Sequence, residues 1–501
     1  MEYKKLKRVL GLKEATMIGL GATLGPGIFI IVGNASYMAG PAVIISYILG
    51  AISTYLCAFC YSELSAAIPT AGGGYTFTRR SLGVFPSFMT GWFMFFGNLV
   101  YSSFASLSFA VILRHLLCSL GYDYGNIGVI IVAVAALIFF SYMNYRGAKE
   151  TGYAQDIITI FLIVILLGTV GYAIYHIYTN GSLLIKTISY EGFMPRGFWS
   201  ILSALGYIYV QFIGFEIIST AAEEIKEPEK NIPRAIMITV TLSTILYISI
   251  AIIEMSVIHY TQLNTDVPLG DVAEKMLGAL GVLIIDVAGI FASLSTLNAA
   301  LIAASRVLLA LSRDGFLPKF LSEVHEKWGT PSNAILVVLF FSASFVLSGS
   351  VNYVVYLSDF GYLVGLTFIN YSVIALRNKR KLLWRPYRVP IYPIVPIAAA
   401  VFCAAIIFLL DIHAILSGII FAVIGVVVYY MIIVGMERVS IMLGGASATI
   451  GVFLILVAVG LHSPFGITIV PNPVMRNIVT AFLSVAGFVN VLGGVIHLLV
   501  K

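Results

Sequence analysis

The sequence predicts an all-α polytopic membrane protein, and two observations carry that prediction. Mean hydropathy is +1.00, and only 10% of the 501 residues are charged, far below the share in an ordinary soluble domain. The apolar residues also fall in continuous runs long enough to cross a bilayer core, which takes about 20 residues of helix. Alternation of apolar and polar residues is missing, so the backbone satisfies itself as helix rather than as barrel strands.

Fourteen runs follow in order. The first, 14–39, is interrupted by Gly21-Ala-Thr-Leu-Gly-Pro-Gly27. The second, 41–68, starts after Gly40 and stops before Pro69 and the triple glycine 72–74. The third and fourth, 86–118 and 126–143, flank a short polar turn, and Arg146-Gly147 closes the fourth. The fifth, 153–178, contains no Lys or Arg. The sixth, 198–221, holds Gln211, Gly214 and Glu216 within its apolar stretch. The seventh, 233–258, begins after the charged segment Glu223–Lys230. The eighth, 279–312, follows Gly278 and ends at Arg313-Asp-Gly315. The ninth and tenth, 333–349 and 353–377, are separated by a Gly/Ser turn. Four more, 393–411, 413–435, 441–461 and 475–500, complete the chain. The first run is too long for a signal-peptide core, so a cytoplasmic N-terminus is expected. Alternating from there puts 23 of the 29 Lys and Arg residues on the cytoplasmic side. Topology thus explains the net charge of +6, and no nucleic-acid partner is implied.

Gly25-Pro26-Gly27 puts two glycines and a proline in the middle of a span, where they unwind it. Neither a dinucleotide fingerprint nor a P-loop fits the spacing. Unwound backbone at membrane depth is tolerated where it lines a cavity. It leaves amides at the start of one half-helix, suited to a carboxylate, and carbonyls near Ala22–Leu24, suited to an ammonium group. Those two charges are the ends of an α-amino acid. A second break is expected in the sixth run at Gln211–Glu216, five spans later. Glu216 is an ionisable residue at mid-span, costly to insert by about 2.5–3.5 kcal/mol, and therefore a functional candidate. Asp286 and Asp359 are further intramembrane acids. They either face the pocket and select cationic side chains, or lie in an outer vestibule (Asp286) and against a neighbouring helix (Asp359). The Cys57-x-x-Cys60 pair reads as buried small hydrophobes, and the seven scattered histidines suggest no metal site. The N-terminal segment 3–15 has the pattern of a helix lying on the inner leaflet. No catalytic cluster of His, Asp or Cys gathers at a membrane face, so an enzyme is not expected.

These residues resemble the amino acid–polyamine–organocation (APC) superfamily of transporters. The resemblance runs through 19–33, 63–77, 214–236, 294–335 and 385–396, and the fourteen-span count resembles its cationic amino acid transporter branch. It implies a core of two inverted five-helix repeats, helices 1–5 and 6–10 over residues 1–378, with four further helices over 379–501. It also implies alternating access in the plasma membrane, with no cofactor. The substrate carboxylate would meet the backbone at Thr23, Leu24, Gly25 and Gly27. Its ammonium group would meet carbonyls near Ala22, Val210 and Ile213, with Gln211 and Gly214 in the same segment. Alignment through Gln155 and Thr159 places Leu162 where several proton-coupled relatives carry lysine, so that mechanism is expected to be absent. Three options remain open: sodium at first-helix carbonyls with Ser293, Ser295 and Thr296; a proton on Glu216; or uncoupled exchange. A polyamine or organic cation is the rival substrate class.

Overall fold

A computed structural model describes residues 8–70, 73–147 and 151–433, together with Thr480 and Ser484. The chain divides into one compact unit over Met1–Ala422 and a second over Val423–Lys501. The described residues are helices joined by turns, with one isolated bridge between Leu10 and Ile225.

Each of the first twelve runs coincides with helix. The first is split into α1 (Leu12–Thr23) and α2 (Gly27–Ala39), and α3 (Val43–Ala67) follows. A short α4 (Gly73–Ser81) precedes α5 (Val84–Ser119), α6 (Gly125–Arg146) and α7 (Thr151–Asn180). After α8 (Leu183–Glu191) the sixth run begins as α9 (Phe198–Ile208) and resumes as the single turn α10 (Ile217–Thr220). Then come α11 (Pro228–Val257), α12 (Pro268–Leu277), α13 (Ala279–Arg313), α14 (Ser332–Val346), α15 (Val351–Lys379), α16 (Ile394–Ile407) and α17 (Ile412–Ile433). Runs 441–461 and 475–500 lie outside the described residues, apart from Thr480 and Ser484.

Among the described residues, nine segments are long and apolar enough to cross a membrane, with α2 and α3 counted together as Gly27–Ala67. Two apolar helices, α14 and α16, are shorter, at 15 and 14 residues. The apolar window of α5 is 83% buried and that of the sixth run 83%, against 28% for α6 and 22% for the fifth run. The α5 helix and the broken sixth run therefore sit centrally, and α6 and α7 present apolar faces outward, as suits contact with lipid. The α5 helix packs against α13 and α15, α3 against α11, and α1 against α7, α11 and α13.

Local chemistry sets the ends of these helices. Pro228 and Pro268 start α11 and α12 at positions where a missing N–H costs nothing. Gly147, left-handed at φ 70°, ends α6. The loop at 385–396 is fastened by Glu63 of α3. This carboxylate receives Arg377 Nε at 2.8 Å and Nη2 at 2.5 Å, and the Val389 N–H at 2.7 Å. A buried carboxylate held by a two-pronged guanidinium and an amide is fully satisfied.

One expectation from the sequence changes. Of the segment 3–15 expected to lie as a surface helix, residues 3–7 lie outside the described residues, Leu12 onward belongs to α1, and 8–10 are not helical: Val9 and Leu10 donate to Glu224 O at 2.9 and 3.0 Å, and Lys226 returns a bond to Leu10 O at 2.8 Å. The start of the described chain is thereby tied to the segment after the sixth run. Cys57 and Cys60 are both buried and free, as expected of small hydrophobes in a span, and Cys57 Sγ lies 3.4 Å from Cys403 Sγ.

Candidate functional site

The first span is interrupted over only three residues. Leu24 N–H still bonds Leu20 O at 2.7 Å, and Gly25 N–H turns back to Thr23 O at 2.9 Å. Pro26, at φ −63°, then starts α2, and Phe29 N–H closes on Pro26 O at 3.1 Å. The amides of Gly27 and Ile28, the first of α2, have no backbone acceptor among the described residues. Of the amides singled out in the sequence, those of Leu24 and Gly25 are thus engaged within the chain, and that of Gly27 is open.

The sixth span loosens over a longer stretch. A 3₁₀ turn, Tyr209–Phe212, leads to extended Ile213 and to Gly214 at φ +125°. Glu216 accepts the Gly214 N–H on Oε2 at 2.8 Å, so the carboxylate holds the irregular backbone in place. Ser219 donates to Glu216 O at 2.6 Å.

The two breaks meet. A Cβ on Gly214 would lie 2.6 Å from Ala22 C and 2.7 Å from Thr23 N, a close approach that only glycine permits. Tyr247 of α11 lies against both: its hydroxyl is 2.6 Å from Thr23 O and 2.7 Å from Gln211 O, sharing one proton between them. Gln211 covers Gly27, where a Cβ would meet its Cγ at 2.8 Å, and donates Nε2 to Tyr47 Oη at 3.0 Å. Val210 O accepts the Ile213 N–H at 3.3 Å. All of these residues are buried.

Hydroxyls converge on the first break. Thr296 Oγ1 and Tyr101 Oη would lie 2.9 and 3.1 Å from a Cβ on Gly25. Thr296 Oγ1 and Thr23 Oγ1 are buried without a hydrogen-bond partner among the described residues. Of the other sodium candidates, Ser293 bonds Gly289 O at 2.7 Å within its own helix, the usual local use of such a hydroxyl. Ser295, on the same helix, is buried. Leu162 of α7 is buried as well.

Two cavities flank the breaks. One, of about 310 Å³, is lined by Ala22, Tyr61, Asn98, Glu216, Asn298 and Arg306 among others. The second, of about 640 Å³, is lined by Asn34, Arg114, Asn126, Thr265, Asp266 and Asn352 among others. Along the first span the first cavity touches Ile18 and Ala22, and the second touches Ile30 and Asn34. The chain therefore passes from one cavity to the other through the buried break.

Sequence reasoning did not single out Tyr101, Tyr247 or Asn98, because aromatic and small polar residues in apolar runs are common packing residues. Arg306 did carry a signal, as a cation inside a predicted span. Asp286 contacts His115, at 2.7 Å from Nδ1, and Asp359 is buried beside the backbone of Val210 at the second break.

The amino acid permease family model matches residues 10–429. The branched-chain amino acid permease BcaP of Bacillus subtilis is 30% identical over 449 residues, covering 85% of this chain and 93% of that protein. A methylthioribose transporter of the same organism is 31% identical over 445 residues, covering 85% and 94%. Cationic amino acid transporter 3, mitochondrial, of Arabidopsis thaliana is 26% identical over 391 residues, covering 75% and 63%. With 420 of its 501 residues inside one family model, the chain belongs to the amino acid permease family and is a multi-pass membrane transporter, not an enzyme.

Proposed function

We propose that the protein is a secondary transporter that moves amino acids across the plasma membrane by alternating access. The observation that carries this reading is the junction of two helix breaks, Gly214 against Ala22 and Thr23, buried between two separate cavities. The open amides of Gly27 and Ile28, at the positive end of α2, take the carboxylate. Carbonyls of Ala22, Val210 and Ile213 take the ammonium group, and the hydroxyls of Thr23, Thr296 and Tyr101 border the same space. Residues 1–378 act as two inverted five-helix repeats, and 379–501 as four added helices, fourteen in all. The N-terminus faces the cytoplasm, so the Glu216 cavity is the inner one and the Arg114 cavity the outer. Glu216, lining the inner cavity, is the proton-accepting group on that side; sodium at Ser293, Ser295 and Thr296 is the alternative coupling, and uncoupled exchange the third.

Similarity to a methylthioribose transporter supports a second reading, a substrate with no carboxylate. Polyamines would also lack one. Such molecules leave the α2 amides unmatched, so substitutions at Gly27 would affect them little. Uptake into proteoliposomes of labelled leucine, arginine, spermidine and methylthioribose tests both readings. Uptake of leucine or arginine that falls roughly tenfold or more in Gly27→Ala, equivalent to about 1.4 kcal/mol, supports carboxylate capture. Uptake restricted to spermidine or methylthioribose overturns it.

A further inference from the structure

A cluster of titratable groups lies apart from the helix breaks, at the end of α5. His115 points one ring nitrogen at each of two carboxylates: Nδ1 is 2.7 Å from Asp286 Oδ2 on α13, and Nε2 is 3.1 Å from Asp271 Oδ1 on α12. The Asp286 side chain is fully buried, and its Oδ1 has no hydrogen-bond partner among the described residues. That oxygen is directed at α12, where a Cβ on Gly270 would lie 2.8 Å from it. His115 retains 20% and Asp271 29% of their side-chain exposure, so water reaches one end of the cluster.

The proton count of this geometry is unusual. A neutral imidazole has one N–H and one lone pair. With both carboxylates ionised, one of the two contacts would set a lone pair against an anion. Both contacts are hydrogen bonds only when the trio holds one proton more. The ring nitrogens touch the carboxylates directly, so no space remains between them for a metal ion. We infer that His115, Asp271 and Asp286 form a proton-binding latch on the outer side of the transporter, with the coupling proton as its ligand.

The position of the latch gives that proton mechanical work to do. The α12 helix carries Asp271 and packs against α2, the half-helix that begins at the first break: Pro268 fits against Gly33, and Asn34 Nδ2 bonds Thr265 O at 3.3 Å. Thr265 also bonds Asp271 Oδ2, and Asn34, Thr265 and Arg114 line the outer cavity. With the proton bound, α5, α12 and α13 are pinned together and α2 is held closed. When the proton leaves to the water of the cavity, the Asp271 contact becomes repulsive and α12 is free to move with α2.

The surrounding charges leave this assignment intact. Arg114, the neighbour of His115 on α5, is engaged by Asp123 at 2.7 Å, and holds the Asp123 carboxyl down at about 2. On α12, Glu274 acts on Asp286, and Lys275 is exposed. Glu254 of α11 is fully buried with both oxygens unpartnered among the described residues, and it lies close enough to Asp271 to feel that carboxylate's charge. Asp266 acts on Arg114 from the loop before α12.

This inference rests on the transport reading above, and one experiment separates the two. Right-side-out vesicles containing the full chain are assayed with labelled leucine and arginine, with external pH varied between about 6 and 10, a span wide enough for an imidazole that faces two carboxylates. Exchange against internal unlabelled amino acid is measured at matched pH. Wild-type uptake is expected to change roughly tenfold with external pH, and His115→Gln to flatten that dependence to within about twofold while exchange survives within about threefold. A wild-type profile in His115→Gln, or equal loss of exchange and uptake, overturns the latch. If that variant does not reach the membrane, Asp271→Asn on the partly exposed α12 decides by the same two measurements. Wild-type transport that ignores external pH also overturns the latch but leaves amino acid transport standing. Wild-type vesicles that neither accumulate nor exchange amino acids overturn the transport reading itself.

Discussion

The two helix breaks differ in how the chain makes them. The first is abrupt: α1 keeps its hydrogen bonds through Leu24, and α2 is under way by Gly27. The second is gradual, passing from a 3₁₀ turn through an extended residue and a positive-φ glycine to a single helical turn. Local residues, Gly25-Pro26-Gly27, write the first break into the sequence. The second depends on its neighbours: the Glu216 carboxylate on the Gly214 amide, and the Tyr247 hydroxyl against Gln211 O. Both breaks are pinned by tertiary contacts, the Tyr247 hydroxyl reaching Thr23 O and Gln211 O alike; they differ in that the first is also marked by its own residues.

The largest expected effect separates the glycines. At Gly214 an added methyl group meets main-chain atoms of Ala22 and Thr23 at 2.6–2.7 Å, at a φ of +125° that side chains rarely adopt. Neither strand of backbone can yield without moving the other break. Gly214→Ala should therefore reduce initial uptake by roughly a hundredfold or more, a cost of about 3 kcal/mol. At Gly25 the same methyl group meets the side-chain ends of Thr296 and Tyr101 at 2.9 and 3.1 Å, which can rotate away. Gly25→Ala should cost about tenfold. Equal effects from the two variants, measured as uptake per folded protein, would mean that the side chains around Gly25 yield no more readily than the backbone against Gly214.

Tyr247→Phe comes next. It leaves the carbonyls of Thr23 and Gln211 buried without their shared donor, at a cost of about 1–3 kcal/mol. The variant should lower the melting temperature of detergent-purified protein and reduce uptake by roughly tenfold. Unchanged melting and uptake would mean that the two breaks hold together without α11.

These contacts also explain what the sequence disclosed. Hydrophobic runs located every span on the described residues, because length and apolarity are local properties. The first break was legible because proline and glycine act through their own backbone. At the second, Gly214 and Glu216 were visible as anomalies in an apolar run, but their bond to each other was not. Tyr247 gave no signal at all, since its role exists only where α11 crosses α1 and the sixth span. The His115 cluster was hidden for the same reason: its three members come from α5, α12 and α13, separated by 156 and 171 positions.

Glu216→Gln should have a smaller effect on rate. Glutamine offers the same acceptor oxygen to the Gly214 amide, so the second break persists and uptake should stay within about threefold of wild type. The variant has no titrating group at that position, so dependence of transport on the pH of the inner side should disappear. Dependence on external pH should remain. An unchanged response to internal pH in Glu216→Gln would remove this residue from proton handling and leave it as a structural cap on the break.

The smallest effect is expected at Pro26, the most conspicuous residue in the sequence. Its φ of −63° is ordinary helical backbone, and the amide it lacks falls at a helix start, where no intrahelical partner is available. Alanine can occupy that conformation. The question is whether α1 and α2 would then fuse into one continuous helix. Fusion would require Gly25 N–H to leave Thr23 O, Tyr247 to release Thr23 O, and the backbone at 22–23 to withdraw from Gly214. The intrahelical bonds gained are worth about 0.5–1.5 kcal/mol each, against the loss of buried contacts on both breaks. The second break persists without any proline, which argues that contacts of this kind suffice. Pro26→Ala should therefore keep uptake within about threefold of wild type, and its new amide, beside those of Gly27 and Ile28, should lower KM for a carboxylate substrate rather than raise it. Complete loss of transport in a well-folded Pro26→Ala would show that proline, and not the packing of one break on the other, keeps the first helix open.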